Sequence, residues 1–412
     1  MRIAITSQLS LRQLADLLDK PDEVPAGLGG ISPLPEVRAL VARGHDVSIV
    51  TLDPDIASEV VLRGDQLTVH VGPFRRHRAA RDGFRMERQF VAETLLRCRP
   101  DVVHAHWTYE HALGALATGL PTVVTAHDAP LVAALRYHLP TKSAGPLFAQ
   151  VPTAAHWSVR AGMAALVARK AQHLIAISPY IERHFRRALR YRGEITVIPN
   201  MMSPTSCRPV STVERPPNEG TRFLTILTSW STLKNGTTAI EAFAEVRAQL
   251  PHASLHMIGH GLGPGGPAES WAAERGLADG ISFVGPLPHD QVLNSLASAD
   301  ILVHPSLEES FGMGIVEAQL AGVAVIGGAH SGAVPWILDY NRAGRLVDVR
   351  KTASLAGAMR ELALDSATRS RLARAGADLA RRRSDPERLI TSIEAVLEET
   401  AHDDRTKTDR IG

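Results

Sequence analysis

A chain of 412 residues is too long for one ordinary hydrophobic core, so two domains are expected. Apolar residues make up 44% and charged residues 21%, with a formal net charge of +2, a globular composition without a global attraction for nucleic acid. Cys98 and Cys207 have no C-x-x-C partner and read as free thiols, no run of about 18 apolar residues reads as a membrane span, and Gln8 and Arg12 interrupt any signal-peptide core, so a cytoplasmic protein is expected. The chain goes directly into a strand at 3–6. Further strands are expected at 47–51, 67–71, 102–106, 122–126, 174–177 and 196–198, then at 223–227, 255–258, 281–284, 301–304, 324–326 and 345–347. Helix-length segments alternate with these apolar runs, the pattern of parallel sheets covered on both faces. Pro204, Pro209, Pro216 and Pro217 lie among serines and threonines without periodic apolar residues, which predicts a linker over 201–220. The fold class is therefore α/β, with doubly wound, Rossmann-like parallel-sheet domains at 1–200 and 221–384. Ser384-Asp385-Pro386 opens a last helix over about 385–399, and the charged tail from His402 to 412 reads as frayed. Ligands on such sheets bind beyond the carboxyl ends of the strands, so two facing sheets would frame a deep interdomain cleft.

Several segments imitate known motifs. Gly27-Leu28-Gly29-Gly30-Ile31-Ser32 precedes a helix ending near Arg43-Gly44-His45, but its spacing and the long loop from Thr6 to Gly30 do not fit a dinucleotide fingerprint. Asp53 then reads as a loop carboxylate, and Asp53-Pro54-Asp55, which imitates a D-x-D metal motif, reads as a turn. Arg75, Arg76, Arg78, Arg81, Arg85 and Arg88 are interleaved with Phe74, Phe84 and Phe90, and 183–192 is also arginine-rich. These are either solvated helical faces or a basic amphipathic face able to touch an anionic membrane or acceptor. No nucleic-acid module matches. His104-Ala105-His106-Trp107 places two histidines on one face of a strand, and His127-Asp128 ends the next. The further strand-borne ligands of a zinc site are not found, so no metal site is expected; buried structural histidines stay open for His104 and His127. Gly261-Leu262-Gly263-Pro264-Gly265-Gly266 matches G-x-G-x-x-G, but Pro264 and Pro267 are expected to interrupt the helix start, leaving a flexible loop as the plain alternative.

The most informative segment is Glu309-Ser310-Phe311-Gly312-Met313-Gly314-Ile315-Val316-Glu317. Before it, Ile301-Leu302-Val303 with His304-Pro305-Ser306 reads as a strand and exit loop. The run from Ile315 reads as a helix that stops at Gly322. Glycine at a helix mouth lets backbone N–H groups approach an anion, and the helix dipole favours negative charge there. A phosphate held at that mouth would have one carboxylate near each end of the molecule carrying it, an arrangement suited to a nucleotide sugar.

The composite of E-x7-E, Phe311-Gly312 and Gly322-Val323-Ala324-Val325-Ile326 resembles the retaining glycosyltransferases of family 4, which have the GT-B fold. Asp101-Val102-Val103-His104-Ala105-His106-Trp107 and Thr125-Ala126-His127-Asp128 also look like that family's first-domain strand ends. The resemblance implies transfer of a sugar from a nucleoside-diphosphate sugar to an acceptor hydroxyl, with retention and without a metal or other cofactor. The acceptor would be a carbohydrate, a lipid-linked molecule or a small-molecule hydroxyl, with peripheral contact at the inner membrane surface as one setting. It implies catalytic roles for His127, Lys234 and Glu309, with Glu309 on hydroxyls of the transferred sugar and Glu317 on the ribose. Gly29, Gly30, His106, Ser229, Gly259, Gly261, Ser310, Phe311, Gly312 and Met313 complete the implied binding set, and the last helix would cross back onto the first domain. In Ser229-Trp230-Ser231-Thr232-Leu233-Lys234-Asn235-Gly236 the family's usual arginine is missing and Trp230 stands near its place, so either Lys234 acts alone on the diphosphate or an arginine such as Arg222 supplies the second charge. The alternatives are a sugar-nucleotide epimerase of the same fold and a catalytically silent sugar-binding subunit. Phosphorylase-like chemistry would need a late cofactor-bearing lysine, for which Lys351 is a poor candidate.

Overall fold

A computed structural model describes residues 1–137, 147–203 and 220–408. The greater part of the expected linker, with Cys207, lies outside the described residues, as do the last four residues of the tail. The chain divides into two units, Met1–Met201 with Asp385–Gly412, and Met202–Ser384.

The first unit is built on β1 (Arg2–Thr6), β2 (Asp46–Asp53), β3 (Val60–Arg63), β4 (Leu67–Pro73), β5 (Val102–His106), β6 (Thr122–Ala126), β7 (His173–Ala176) and β8 (Glu194–Val197). They form one sheet in the order β3-β4-β2-β1-β5-β6-β7-β8. Every neighbouring pair is parallel except β3 and β4. Strand β3 is the element the sequence reading missed: only Leu62 of its four residues is buried, so it lacks the continuous apolar run of its neighbours. The core joins Ile3, Ile5, Val47, Ile49, Val69 and Val102 to Leu389, Ile390, Ile393 and Leu397 of the last helix, Pro386–Thr408. Asp385 caps that helix by accepting from the Arg388 N–H at 3.0 Å. The helix runs well past the expected end near 399, so the backbone from His402 to Thr408 is helical rather than frayed.

The second unit carries β9 (Arg222–Ser229), β10 (Ser254–His260), β11 (Ile281–Gly285), β12 (Ile301–His304), β13 (Ala324–Gly328) and β14 (Arg345–Val347), all parallel, in the order β11-β10-β9-β12-β13-β14. Its core sets Phe223, Leu255, Met257, Val303 and Ile326 against Ile240, Phe243, Leu355 and Met359 of the flanking helices. In each sheet the strand order reverses direction beside the first strand, at β1/β5 and at β9/β12, and ligands of doubly wound sheets bind outside the carboxyl ends at such points.

Two expectations change. Pro267 does not interrupt a helix; it occupies the first turn of the helix Pro267–Ala273, where a missing N–H costs nothing. The arginine-rich segment is not one amphipathic face. A 3-10 turn, Arg76–Asp82, and the helix Arg85–Cys98 are separated by Gly83 and Phe84, both left-handed. Phe84 is fully buried, the Phe90 ring packs against Gly72, and Arg75 is paired with Asp82 and Glu87 at 2.9 and 2.6 Å. Phe84 is thus a core residue and Phe90 a half-buried packing residue. Among the described residues, no helix is long and apolar enough to cross a membrane.

Candidate active site

The predicted residues fall into two groups, one in each unit. In the second unit, β9 ends at Ser229, whose hydroxyl bonds that of Ser231, and the chain turns through Lys234 into the helix Gly236–Arg247. Asn235, left-handed at φ 53, anchors this turn by donating its amide to the carbonyls of Pro305 and Val349 at 3.1 and 2.8 Å. The Leu307 N–H bonds the Leu233 carbonyl at 2.9 Å, so the loop after β9 and the loop after β12 are fastened together. That fastening brings Lys234 Nζ to Glu309 Oε1 at 2.5 Å, with His304 Nε2 at 3.3 Å from the same oxygen. The ammonium and carboxylate side chains are only 16% and 15% exposed. Burial alone would raise the Glu309 carboxyl, but the Lys234 charge and the His304 contact outweigh it and hold it at about 2.

Beyond Glu309, Ser310 and the buried Phe311 lead to Gly312, which caps the helix Met313–Leu320 at φ 75. The conformation there is one that glycine alone adopts without strain. Glu317 lies one turn into the helix, almost buried, and accepts a 2.7 Å hydrogen bond from His289 Nε2 at the start of the helix His289–Ala297. Hydrogen bonding to Glu317 raises the His289 imidazole, against the pull of its partial burial. Gly259 and Gly261 follow from packing: a Cβ at Gly259 would stand 1.7 Å from the Leu227 carbonyl, and one at Gly261 would meet Trp230 at 2.9 Å.

Trp230 is a packing residue. Its ring lies against Gly236 and 6.0 Å from the ring of Trp271, on the edge of the second core. Arg222 cannot replace the missing arginine. It begins β9, seven residues before Ser229, roughly 23 Å away along an extended strand. Its guanidinium is directed at the Ser298 carbonyl. Among the described residues, Lys234 is the cation that the fold brings to Glu309.

In the first unit, Gly29 and Gly30 belong to a loop held by two backbone contacts, Ser10 N–H to the Gly30 carbonyl at 2.8 Å and Gly27 N–H to Asp53 Oδ2 at 2.7 Å. Asp53 therefore secures the glycine loop, and its other oxygen accepts from the Asp55 N–H, the expected turn. The helix Leu34–Ala42 follows, and its Glu36 reaches the histidines of β5. His104 Nδ1 lies 2.6 Å from Glu36 Oε1 and His104 Nε2 2.7 Å from Thr125 Oγ1, which makes His104 a fully bonded core histidine. His106 Nε2 is 3.4 Å from Glu36 Oε2, and its Nδ1 is 3.0 Å from His127 Nε2. Next to His127, burial raises the Asp128 carboxyl to about 6 although it accepts the Tyr109 hydroxyl at 2.5 Å. Glu36, His104 and His106 could converge on a cation. Yet the 2.6 Å contact is a hydrogen bond, shorter than the roughly 3.3 Å between ligands of a tetrahedral zinc, so Glu36 and His104 satisfy one another directly, while His106 Nε2 makes a 3.4 Å contact to Glu36 without a hydrogen bond.

The sequence reading passed over Glu36 and His289 and gave no role to Asn235 and Asp128. Each acts on a partner far away in the chain or on another element, so spacing along the sequence held no trace of them.

Two family models match the chain, Glycosyltransferase Family 4 over residues 36–205 and Glycosyl transferases group 1 over residues 211–379. The D-inositol 3-phosphate glycosyltransferase of Streptomyces avermitilis is 36% identical over 119 residues, 29% of this chain and 25% of that protein. The match thus spans about a quarter of that relative's own length. Sucrose-phosphate synthase from Thermosynechococcus elongatus is similar in structure with a TM-score of 0.75 at 19% identity, over 97% of this chain and 98% of that one. The Anabaena protein Alr3699/HepE in complex with UDP and glucose gives 0.65 at 16% identity, over 97% and 100%.

Proposed function

The chain belongs to the group 1 glycosyltransferases of family 4 and has their GT-B fold, and from that membership we propose that it transfers a sugar from a nucleoside-diphosphate sugar to an acceptor hydroxyl with retention at the anomeric carbon. The observation that carries this reading is the Lys234–Glu309 pair beside a glycine-capped helix mouth at the carboxyl end of the sheet. Lys234 has three N–H donors and gives one to Glu309, so others remain for the diphosphate. The mouth at Gly312–Met313 supplies backbone N–H groups and the positive end of the helix dipole. Together they would stabilise the charge that develops on the departing diphosphate, the main catalytic contribution in such a site.

In the proposed step the bond between the anomeric carbon and the diphosphate oxygen breaks as the acceptor oxygen bonds to that carbon from the same face. The acceptor proton passes to the leaving phosphate oxygen. Glu309 would orient hydroxyls of the sugar, Glu317 would hold the ribose, and His127 of the first unit would contact the donor sugar. Lysine and helix dipole take the place of a divalent ion. The acceptor is a carbohydrate, a lipid-linked molecule or a small-molecule hydroxyl, met in the cytoplasm or at its membrane surface.

A screen of nucleoside-diphosphate sugars by ligand-dependent melting, followed by acceptor screening, identifies the substrates. Proton NMR of the first-formed product should then show the donor's anomeric configuration, with undiminished rate in a strong chelator. An inverted linkage, or activity abolished by chelator and restored by a divalent ion, refutes the proposal. Conversion of the donor without an acceptor points instead to an epimerase.

A further inference from the structure

The first unit contains a chain of polar contacts that ends in an open atom. Glu36 lies under β5 and takes His104 at 2.6 Å and His106 at 3.4 Å, one histidine on each oxygen. His106 passes the contact on to His127 at 3.0 Å. Glu36, His104, His106 and His127 are all more than nine-tenths buried. His127 Nδ1 is also buried, and it has no hydrogen-bond partner. A buried polar atom without a partner is costly, and native structures keep few of them. The ring of Trp107 lies 4.8 Å from that of His127, and Trp107 itself has φ 69, a strained value for a bulky residue and one that gathers at functional sites.

The protons in this chain have one consistent arrangement. A carboxylate only accepts, so His104 Nδ1 donates to Glu36. His106 Nε2, at 3.4 Å from Glu36 Oε2, makes no hydrogen bond but carries its hydrogen on that side, because a bare lone pair there would be repelled by the carboxylate. His104 Nε2 then accepts from the Thr125 hydroxyl. Burial pushes both His106 and His127 down, with neighbouring imidazoles adding to the effect, so both rings are neutral at pH 7. A neutral His106 with hydrogen on Nε2 has a lone pair on Nδ1. His127 must therefore carry its hydrogen on Nε2 and keep a lone pair on Nδ1.

We propose that Glu36 and His106 are positioning residues that fix the tautomer of His127, so that its Nδ1 accepts a hydrogen bond from a hydroxyl of the transferred sugar. The assignment of that hydroxyl to the sugar rests on the function proposed above; the tautomer does not. The opposite tautomer would face the hydroxyl with an N–H and would set a bare His106 lone pair against the Glu36 carboxylate.

The test is the tautomeric state of His127, read from long-range proton–nitrogen spectra of the full chain labelled with nitrogen-15 histidine at pH 7. Wild-type protein should show His127 protonated at Nε2 and bare at Nδ1. In Glu36→Gln the amide matches the carboxylate in shape, gives its oxygen to His104 and its NH2 to His106 Nε2. The hydrogens of His106 and His127 should then shift by one position, leaving His127 protonated at Nδ1. Turnover with the identified donor and acceptor should fall about tenfold or more, the effect of one hydrogen bond turned against its partner. Glu36→Asp keeps the charge and should keep the wild-type tautomer. Wild-type His127 protonated at Nδ1, or a mixture of the two forms, overturns the proposal even if the variants fail to fold. An unshifted tautomer in folded Glu36→Gln overturns it as well. A shifted tautomer with unchanged turnover overturns the contact with the sugar and supports the relay itself.

Discussion

Lys234→Ala should unfold the second unit more readily as well as slow the reaction, and the two effects can be separated. The Glu309 carboxyl is held at about 2 against an ordinary 4.5, which corresponds to about 3 kcal/mol of stability at neutral pH. Removing the ammonium leaves a carboxylate that is 15% exposed with His304 as its remaining partner, and breaking such a pair from one side costs about 3–5 kcal/mol. For a unit of this size that is a loss of roughly 6–20 °C in melting temperature. The sign with pH follows from the depressed carboxyl: the contribution is complete above about 4.5 and is lost as pH falls toward about 2. The melting gap between wild type and Lys234→Ala should therefore be full at pH 7 and close in that acid window. Glu309→Gln combined with Lys234→Ala should restore most of the stability, because no buried charge is stranded. Turnover should stay low in the double variant, since the diphosphate still lacks its cation. A Lys234→Ala protein melting within about 1 °C of wild type at pH 7, or a gap that persists at pH 2, refutes the coupling. Near-normal turnover in the double variant would mean that the phosphate site lies elsewhere.

Glu317→Ala should remain folded and lose about ten- to a hundredfold in nucleotide affinity by calorimetry, the contribution of one or two charge-assisted hydrogen bonds. If the ribose displaces His289 from Glu317, the imidazole loses the contact that raises it, so wild-type binding near pH 6.5 should release protons, seen as a dependence of binding enthalpy on the buffer. Trp230→Arg should lower stability by about 2 kcal/mol without tightening donor binding, because it removes a ring packed against Gly236 and Trp271; tighter binding would restore the idea of a vacant arginine position. Asn235→Gly keeps the left-handed turn but loses the two carbonyl contacts, so melting should fall by an amount near 1–2 kcal/mol and turnover should fall with it; unchanged turnover would show that the anchor does not position Lys234.

The centres of both sheets were legible because strands such as β5, β6, β12 and β13 are buried along their whole length and therefore read as continuous apolar runs. Strand β3 escaped because it has no such run. At the sheet edge and antiparallel, it buries Leu62 alone. The helix at Gly312 could be read because glycine, cap and apolar run are adjacent in sequence. The partners of the predicted residues could not. Glu36 meets His104 across 68 positions and His289 meets Glu317 across 28, and no local pattern records such pairings. Trp230 was ambiguous because a half-buried aromatic beside a phosphate loop fits packing as well as ligand contact, and the glycines at 236 and 261 that make room for it gain meaning only in three dimensions.

The last helix has a consequence for how the polypeptide reaches its native state. Leu389, Ile390, Ile393 and Leu397 belong to a core otherwise drawn from the first 201 residues and the same helix, so the first unit is closed by a helix translated only after the whole second unit. The second unit, Met202–Ser384, is contiguous and can complete its own core while the first still shows an apolar face along β5 and β6, where the last helix packs. Synthesis order and folding order are thus inverted: the half that emerges first matures last. A ribosome stalled before residue 385 would display a folded second unit tethered to an aggregation-prone first one. Supplying the terminal helix as a separate peptide should rescue such a truncated chain, as fragments reassemble when the missing segment is held by apolar packing.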